Sequence, residues 1–296
     1  MSVGFITKSG KQLQKKDHTL LLTGLPRSGT TLVCRLLHAQ ENVVALNEPF
    51  VFRAFELGSL DDITEFIESQ LNAIRIQILE ERKAPSLQKK GNLPENNFTE
   101  FNGHEKIRRL DAQHGYISIS QKVNKSFFMC VKHNVAFTAL LPHLITLYPV
   151  VAVIRNPLAL ILSWNSLESP LSEGRSPLGE RLDPLLSKTL SNLTCRIQRQ
   201  VVMINWFFER FQLYVSPGQI VRYEEIIHSG GNCLSEVFPS FSTHGINIYS
   251  GNSQYHSDRE EVIKIKDILL QTGGPYLYYY SRDEISFLSD LLTYRL

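Results

Sequence analysis

The junction at residues 19–31 constrains the chain most. A short apolar run, Thr19-Leu20-Leu21-Leu22-Thr23, leads straight into Gly24-Leu25-Pro26-Arg27-Ser28-Gly29-Thr30-Thr31, and apolar residues return at Leu32, Val33, Leu36 and Leu37. A run that is apolar throughout suits a strand covered on both faces, and the returning residues have helical spacing. The segment therefore predicts a strand, a glycine loop and a helix, which is the opening of an α/β fold with a parallel sheet.

Later runs fit that beginning. Residues 42–46, 126–131, 150–154 and 219–223 are predicted as further strands. Residues 61–82 place Ile63, Phe66, Ile67, Leu71, Ile74 and Ile78 on one face of a helix. A helix interrupted or kinked near Pro142 is predicted over 135–147, another starts at Asn156-Pro157 and continues to 167, and a long one covers 185–214. Segments 84–103 and 168–183, rich in Pro, Gly and polar residues, are predicted as a long mobile surface loop and a second loop. The expected architecture is a parallel sheet with helices on both faces, in one domain covering residues 1–296.

Composition removes whole classes of function. With 31 Lys+Arg against 29 Asp+Glu, no cation excess exists for a dedicated nucleic-acid or membrane-surface binder, so any basic function must be local. Cys34, Cys130, Cys195 and Cys233 form no CxxC pair, and the nine histidines show no ligand spacing, so no metal site is expected. The amino-terminal residues are polar and basic, and the first apolar run is broken by Pro26 and Arg27, which argues against a signal peptide or anchor. A cytoplasmic location is the expectation, with the sequons at Asn97, Asn124 and Asn192 arising by chance.

The glycine loop has the chemistry of an anion cradle. Its glycines let backbone amides fold around an anion, and the following helix presents unpaired N–H groups and the positive end of its dipole. A nucleoside-triphosphate loop would carry lysine after the second glycine, but here that residue is Thr30, and the cation is Arg27 within the loop. The anion is thus expected to differ from a γ-phosphate.

Pro26-Arg27-Ser28-Gly29-Thr30-Thr31 resembles the PxSGTT segment of sulfotransferases that use 3′-phosphoadenosine 5′-phosphosulfate, in their arginine-bearing subgroup. Two further elements resemble that family. The strand at 150–154 ends in Arg155, with Ser163 eight positions on, and Val221-Arg222-Tyr223-Glu224-Glu225 matches a strand end of the family. The resemblance spans residues 20–225 and implies the P-loop-like sulfotransferase fold. It also implies that Arg27, Ser28, Gly29, Thr30 and Thr31 hold the 5′ side of the donor, that Arg155 and Ser163 hold its 3′-phosphate, and that Tyr223 lies near the adenine. The donor becomes adenosine 3′,5′-bisphosphate, and no metal is required. The Arg-Lys-Gly run that cytosolic members carry near their end is absent, and which of residues 254–266 close over the donor stays open.

Transfer to a hydroxyl benefits from a base. By resemblance, Glu48 in Asn47-Glu48-Pro49 stands where one part of the family carries a catalytic glutamate, and His133 stands about where the cytosolic enzymes carry a histidine. Lys132 stands where a family lysine bridges to the transferring group. Histidine is intrinsically matched to neutral pH, whereas Glu48 would need burial to raise it. Glu48 is preferred and His133 is second. The expected acceptor is a small molecule, a specialised metabolite free or tethered to a carrier protein. A P-loop kinase and a non-catalytic nucleotide-binding protein are the alternatives, and the missing loop lysine speaks against the first.

Overall fold

A computed structural model describes residues 18–51, 60–100, 107–238, 241–242, 248 and 258–294. The expectation for the amino-terminal 17 residues and that for residues 254–257 lie outside the described residues.

The chain opens as expected, with strand β1 (Thr19–Gly24), helix α1 (Thr30–His38) and strand β2 (Val43–Asn47). Helix α2 (Leu60–Glu81) follows, then strands β3 (Lys83–Gln88), β4 (Gln113–Ser118) and β5 (Phe128–Lys132). Helices α3 (Asn134–Ala139) and α4 (Leu141–Leu144) lead to β6 (Val150–Ile154) and α5 (Pro157–Asn165). Next come α6 (Pro177–Leu182), α7 (Pro184–Ser191), α8 (Arg196–Tyr214), β7 (Ile220–Arg222) and α9 (Tyr223–His228). The described residues end with α10 (Arg259–Thr272) and α11 (Arg282–Tyr294).

Among the described residues five strands form one parallel sheet in the order β2-β5-β1-β6-β7. Side-chain alternation along the strands divides the core. Leu21, Leu46, Met129, Val131, Ala152 and Ile154 pack into a large layer with α2, α3, α5, α8, α10 and α11. Leu20, Leu22, Ala45, Cys130, Val151 and Val153 face a smaller layer with α1 and α9. From central β1 the chain turns through α1 to the β2 edge, whereas β6 lies on the other side of β1. The strand order thus reverses at β1, and a crevice opens beyond its carboxyl end.

Three expectations need correction. The loop predicted over 84–103 begins as β3, which pairs antiparallel with β4 from Lys83↔Ser118 to Gln88↔Gln113. Pro85 is tolerated because a two-stranded ribbon has open edges. The interruption expected near Pro142 falls at Leu140, between α3 and α4, with Pro142 in the first turn of α4. The long helix at 185–214 is broken at residues 192–195, and Arg199 Nη1 donates to the carbonyls of Leu193 and Thr194 at 3.0 and 3.1 Å. The loop at 168–183 holds a 3₁₀ turn, Pro170–Glu173, and helix α6. No helix among the described residues is long and apolar enough to cross a membrane.

Candidate active site

Parallel strands deliver their carboxyl ends to one rim, and the singled-out residues stand on that rim. Gly24 ends β1, Glu48 follows β2, Lys132 ends β5, Arg155 follows β6 and Tyr223 follows β7. A cavity of about 1230 Å³ opens there, lined by Arg27, Gly29, Thr30, Thr31, Glu48, Lys132, His133, Arg155, Ser163 and Tyr223, whereas Gly24 and Ser28 are not in its lining.

The loop requires both its glycines. Gly24 has φ 157°, and a Cβ there would meet the Val153 carbonyl oxygen at 2.4 Å. Gly29 has φ 99°, and a Cβ there would meet the Tyr223 ring at 2.5 Å. Tyr223, the first residue of α9, therefore packs directly on the glycine loop. Arg27 itself adopts φ 74°. Its carbonyl accepts from Arg155 Nη1 at 2.7 Å, and the Pro26 carbonyl accepts from Trp164 Nε1 at 2.8 Å. With those oxygens held by side chains, amides in the loop and first turn of α1 can serve an anion.

The two arginines line one cavity. Arg155, 5 % exposed, places its guanidinium 4.3 Å from the Tyr223 ring centroid. Arg27 Nε donates to Ser163 Oγ at 3.2 Å and Nη1 donates to Asn96 Oδ1 at 2.8 Å, with the Phe98 ring centroid 5.3 Å from the guanidinium. Thr30 and Thr31 open α1 against the same space. The Ser28 hydroxyl is fully buried and has no hydrogen-bond partner among the described residues. It lies outside the cavity lining, so an anion in the cavity would meet Arg27, Gly29, Thr30, Thr31 and Arg155 instead. These residues fit a phosphorylated ligand.

Across the cavity, β2 and β5 bring together a second group. Lys132, 1 % exposed, donates from Nζ to Glu48 Oε1 at 2.6 Å and to Asn47 Oδ1 at 3.1 Å. Glu48 sits at φ 48°, its amide donates to the Lys132 carbonyl at 2.8 Å, and its side chain is about one quarter exposed. The His133 ring centroid lies 5.6 Å from that of Phe137. Phe50, Leu87, Ala112, Val135 and Leu178 also line the cavity and give it apolar surface.

Titration behaviour differs from the expectation for Glu48. Burial pushes its carboxyl up, but the charge of Lys132, then that of His133, and the Lys132 hydrogen bond together outweigh burial and hold it at about 2. The buried, neighbouring ammonium makes the difference. Burial lowers His133 to about 4, against the opposing pull of Glu48. At neutral pH the carboxylate is charged and the imidazole neutral, so both are in proton-accepting form.

Sequence reasoning passed over Asn47 and Arg108. Asn47 is fully buried, accepts from Lys132 and donates from Nδ2 to Asn97 Oδ1 at 2.8 Å. Its position beside Glu48 was the available signal. Arg108 lies in Lys106-Ile107-Arg108-Arg109, which carries no pattern that separates a buried arginine from a solvated one. No group of histidine, cysteine, aspartate and glutamate suited to a metal ion occurs among the described residues. No protein-family model matches the chain, and no curated protein compared with it does either.

Proposed function

We propose that this chain is a sulfotransferase of P-loop-like fold that moves the sulfuryl group of 3′-phosphoadenosine 5′-phosphosulfate to a hydroxyl or amine of a small molecule. One observation carries the reading. A glycine loop without the nucleotide-triphosphate lysine shares its cavity with Arg27, Arg155, Ser163 and Tyr223 on one side and Glu48, Lys132 and His133 on the other.

The bound donor supplies an activated sulfuryl group and a leaving phosphate. The loop and first-turn amides, Thr30 and Thr31 are suited to hold the 5′ side, with Arg27 as the neighbouring cation. Arg155 and Ser163 are suited to grip the 3′-phosphate, the feature that separates this donor from ordinary adenine nucleotides. Tyr223 is placed to flank the base. Glu48 takes the acceptor proton, with His133 as the second candidate. An anion in the loop would also draw on Lys132 and so loosen its hold on Glu48, making the carboxylate a stronger base when the donor is present. The apolar part of the cavity lining favours an acceptor with a substantial apolar body, free or carrier-tethered. We attach a cytoplasmic location to the reading, supported by four cysteines that remain unpaired thiols.

Thermal-shift titration separates this reading from a kinase. Adenosine 3′,5′-bisphosphate should stabilise the chain more than ATP at equal concentration. Preferential stabilisation by ATP would remove the sulfotransferase reading. Incubation with donor and a metabolite pool should then produce a mass gain of one sulfuryl group.

A further inference from the structure

Arg108 is 6 % exposed and lines the cavity, although an arginine at a surface would ordinarily extend its head into water. Its Nη2 donates to Ser166 Oγ at 2.8 Å, and its backbone exchanges hydrogen bonds with Ser166 and Glu168 at 2.8 and 2.9 Å. Ser166 Oγ in turn donates to the Ser163 carbonyl at 2.7 Å. Ser163 Oγ is the acceptor of Arg27 Nε. Two guanidinium groups are thus anchored within one turn at the end of α5, and Arg155 stands just before the start of that helix.

We propose that Arg108 is a third anion-binding residue of the site and that, with Arg155 and Ser163, it holds the 3′-phosphate of the donor. This rests on the sulfotransferase reading. The hydrogen-bond chain argues for the donor over an anionic acceptor. Arg108 is joined through Ser166 to Ser163, which the sulfotransferase reading assigns to the 3′-phosphate. The planar fork of arginine suits the paired oxygens of a phosphomonoester.

Calorimetric titration of the full chain with adenosine 3′,5′-bisphosphate and with adenosine 5′-monophosphate tests the assignment. Arg108→Gln should weaken the bisphosphate by about tenfold or more, as loss of a charge-assisted hydrogen bond implies, while 5′-monophosphate affinity stays that of the unaltered chain. Arg108→Lys should fall between them. Ser166→Ala, which removes the anchor and keeps the charge, should shift the ratio in the same direction by a smaller factor, and it carries the test should Arg108→Gln fail to fold. An equal loss for both nucleotides, or no loss in a folded Arg108→Gln chain, overturns the proposal and leaves Arg108 a packing residue. An unaltered chain that does not prefer the bisphosphate overturns the donor reading first, and the proposal with it.

Discussion

Single residues decide the chemistry through their protonation. Glu48 at about 2 and His133 at about 4 are both deprotonated well below neutrality. Whichever serves as base, kcat/KM should stay level on the acid side down to about pH 5.5, with no limb near the ordinary histidine value. A pH-rate profile that drops at about pH 6.5 would refute both assignments. Glu48→Gln keeps the acceptor oxygen for Lys132 but cannot take a proton, so kcat should fall by ~10²–10⁴ with little change in donor binding. Full turnover in that variant transfers the role to His133. Arg155→Ala should chiefly raise the KM for the donor, read from initial rates at saturating acceptor.

At the scale of elements, Asp183 shows how helix boundaries shape the cavity. Its Oδ1 caps α7 by accepting from the amides of Leu185 and Leu186 at 3.0 and 3.2 Å, and its Oδ2 accepts from Trp206 Nε1 at 2.8 Å and Arg210 Nη2 at 2.5 Å. The residue ends α6, its backbone N–H donating to the Gly179 carbonyl, and its carboxylate ties α7 to α8. Asp183→Ala should cost about 1–3 kcal/mol in denaturant unfolding, and a loss within error of zero would show that the cap and the tie carry no stability. The same segment shows what the sequence could not display. Apolar periodicity runs nearly unbroken through residues 185–214, so one helix was predicted, and the break at 192–195 depends on Arg199 reaching back to carbonyls it meets only in three dimensions. β3 and β4 were hidden for a different reason. Lys83-Ala-Pro-Ser-Leu-Gln and Gln113-His-Gly-Tyr-Ile-Ser have weak alternation, and their ribbon is positioned by Ser86, whose Oγ accepts from the Asn47 amide at 3.1 Å. The central strands and the glycine loop were legible because burial on both faces and a tight turn each demand particular residue types. Arg108 and Asn47 were not, since a buried polar side chain is defined by partners distant in the chain.

On the scale of the whole molecule, burial couples folding to acidity. His38, whose Nδ1 accepts from the Ala45 amide at 3.2 Å, and His133 are both lowered from 6.5 to about 4, chiefly by burial. Between those values the unfolded chain binds protons that the folded chain refuses, so stability rises with pH across that window. Glu48, lowered from 4.5 to about 2, adds stability above 4.5 that is lost as pH falls toward 2. The melting temperature should therefore decline steadily from about pH 6.5 to about pH 4, and a flat scan would contradict the burial of these groups. A production choice follows from the hydrogen bond between Asn47 and Asn97. Asn97-Phe98-Thr99 is an acceptor triplet for oligosaccharide transfer, yet its amide is enclosed against the residue that steadies Lys132. A sugar tree attached there during synthesis could not be housed, so material routed through a yeast or animal-cell export line should emerge misfolded, and an Asn97→Gln control should reveal the carbohydrate as the cause.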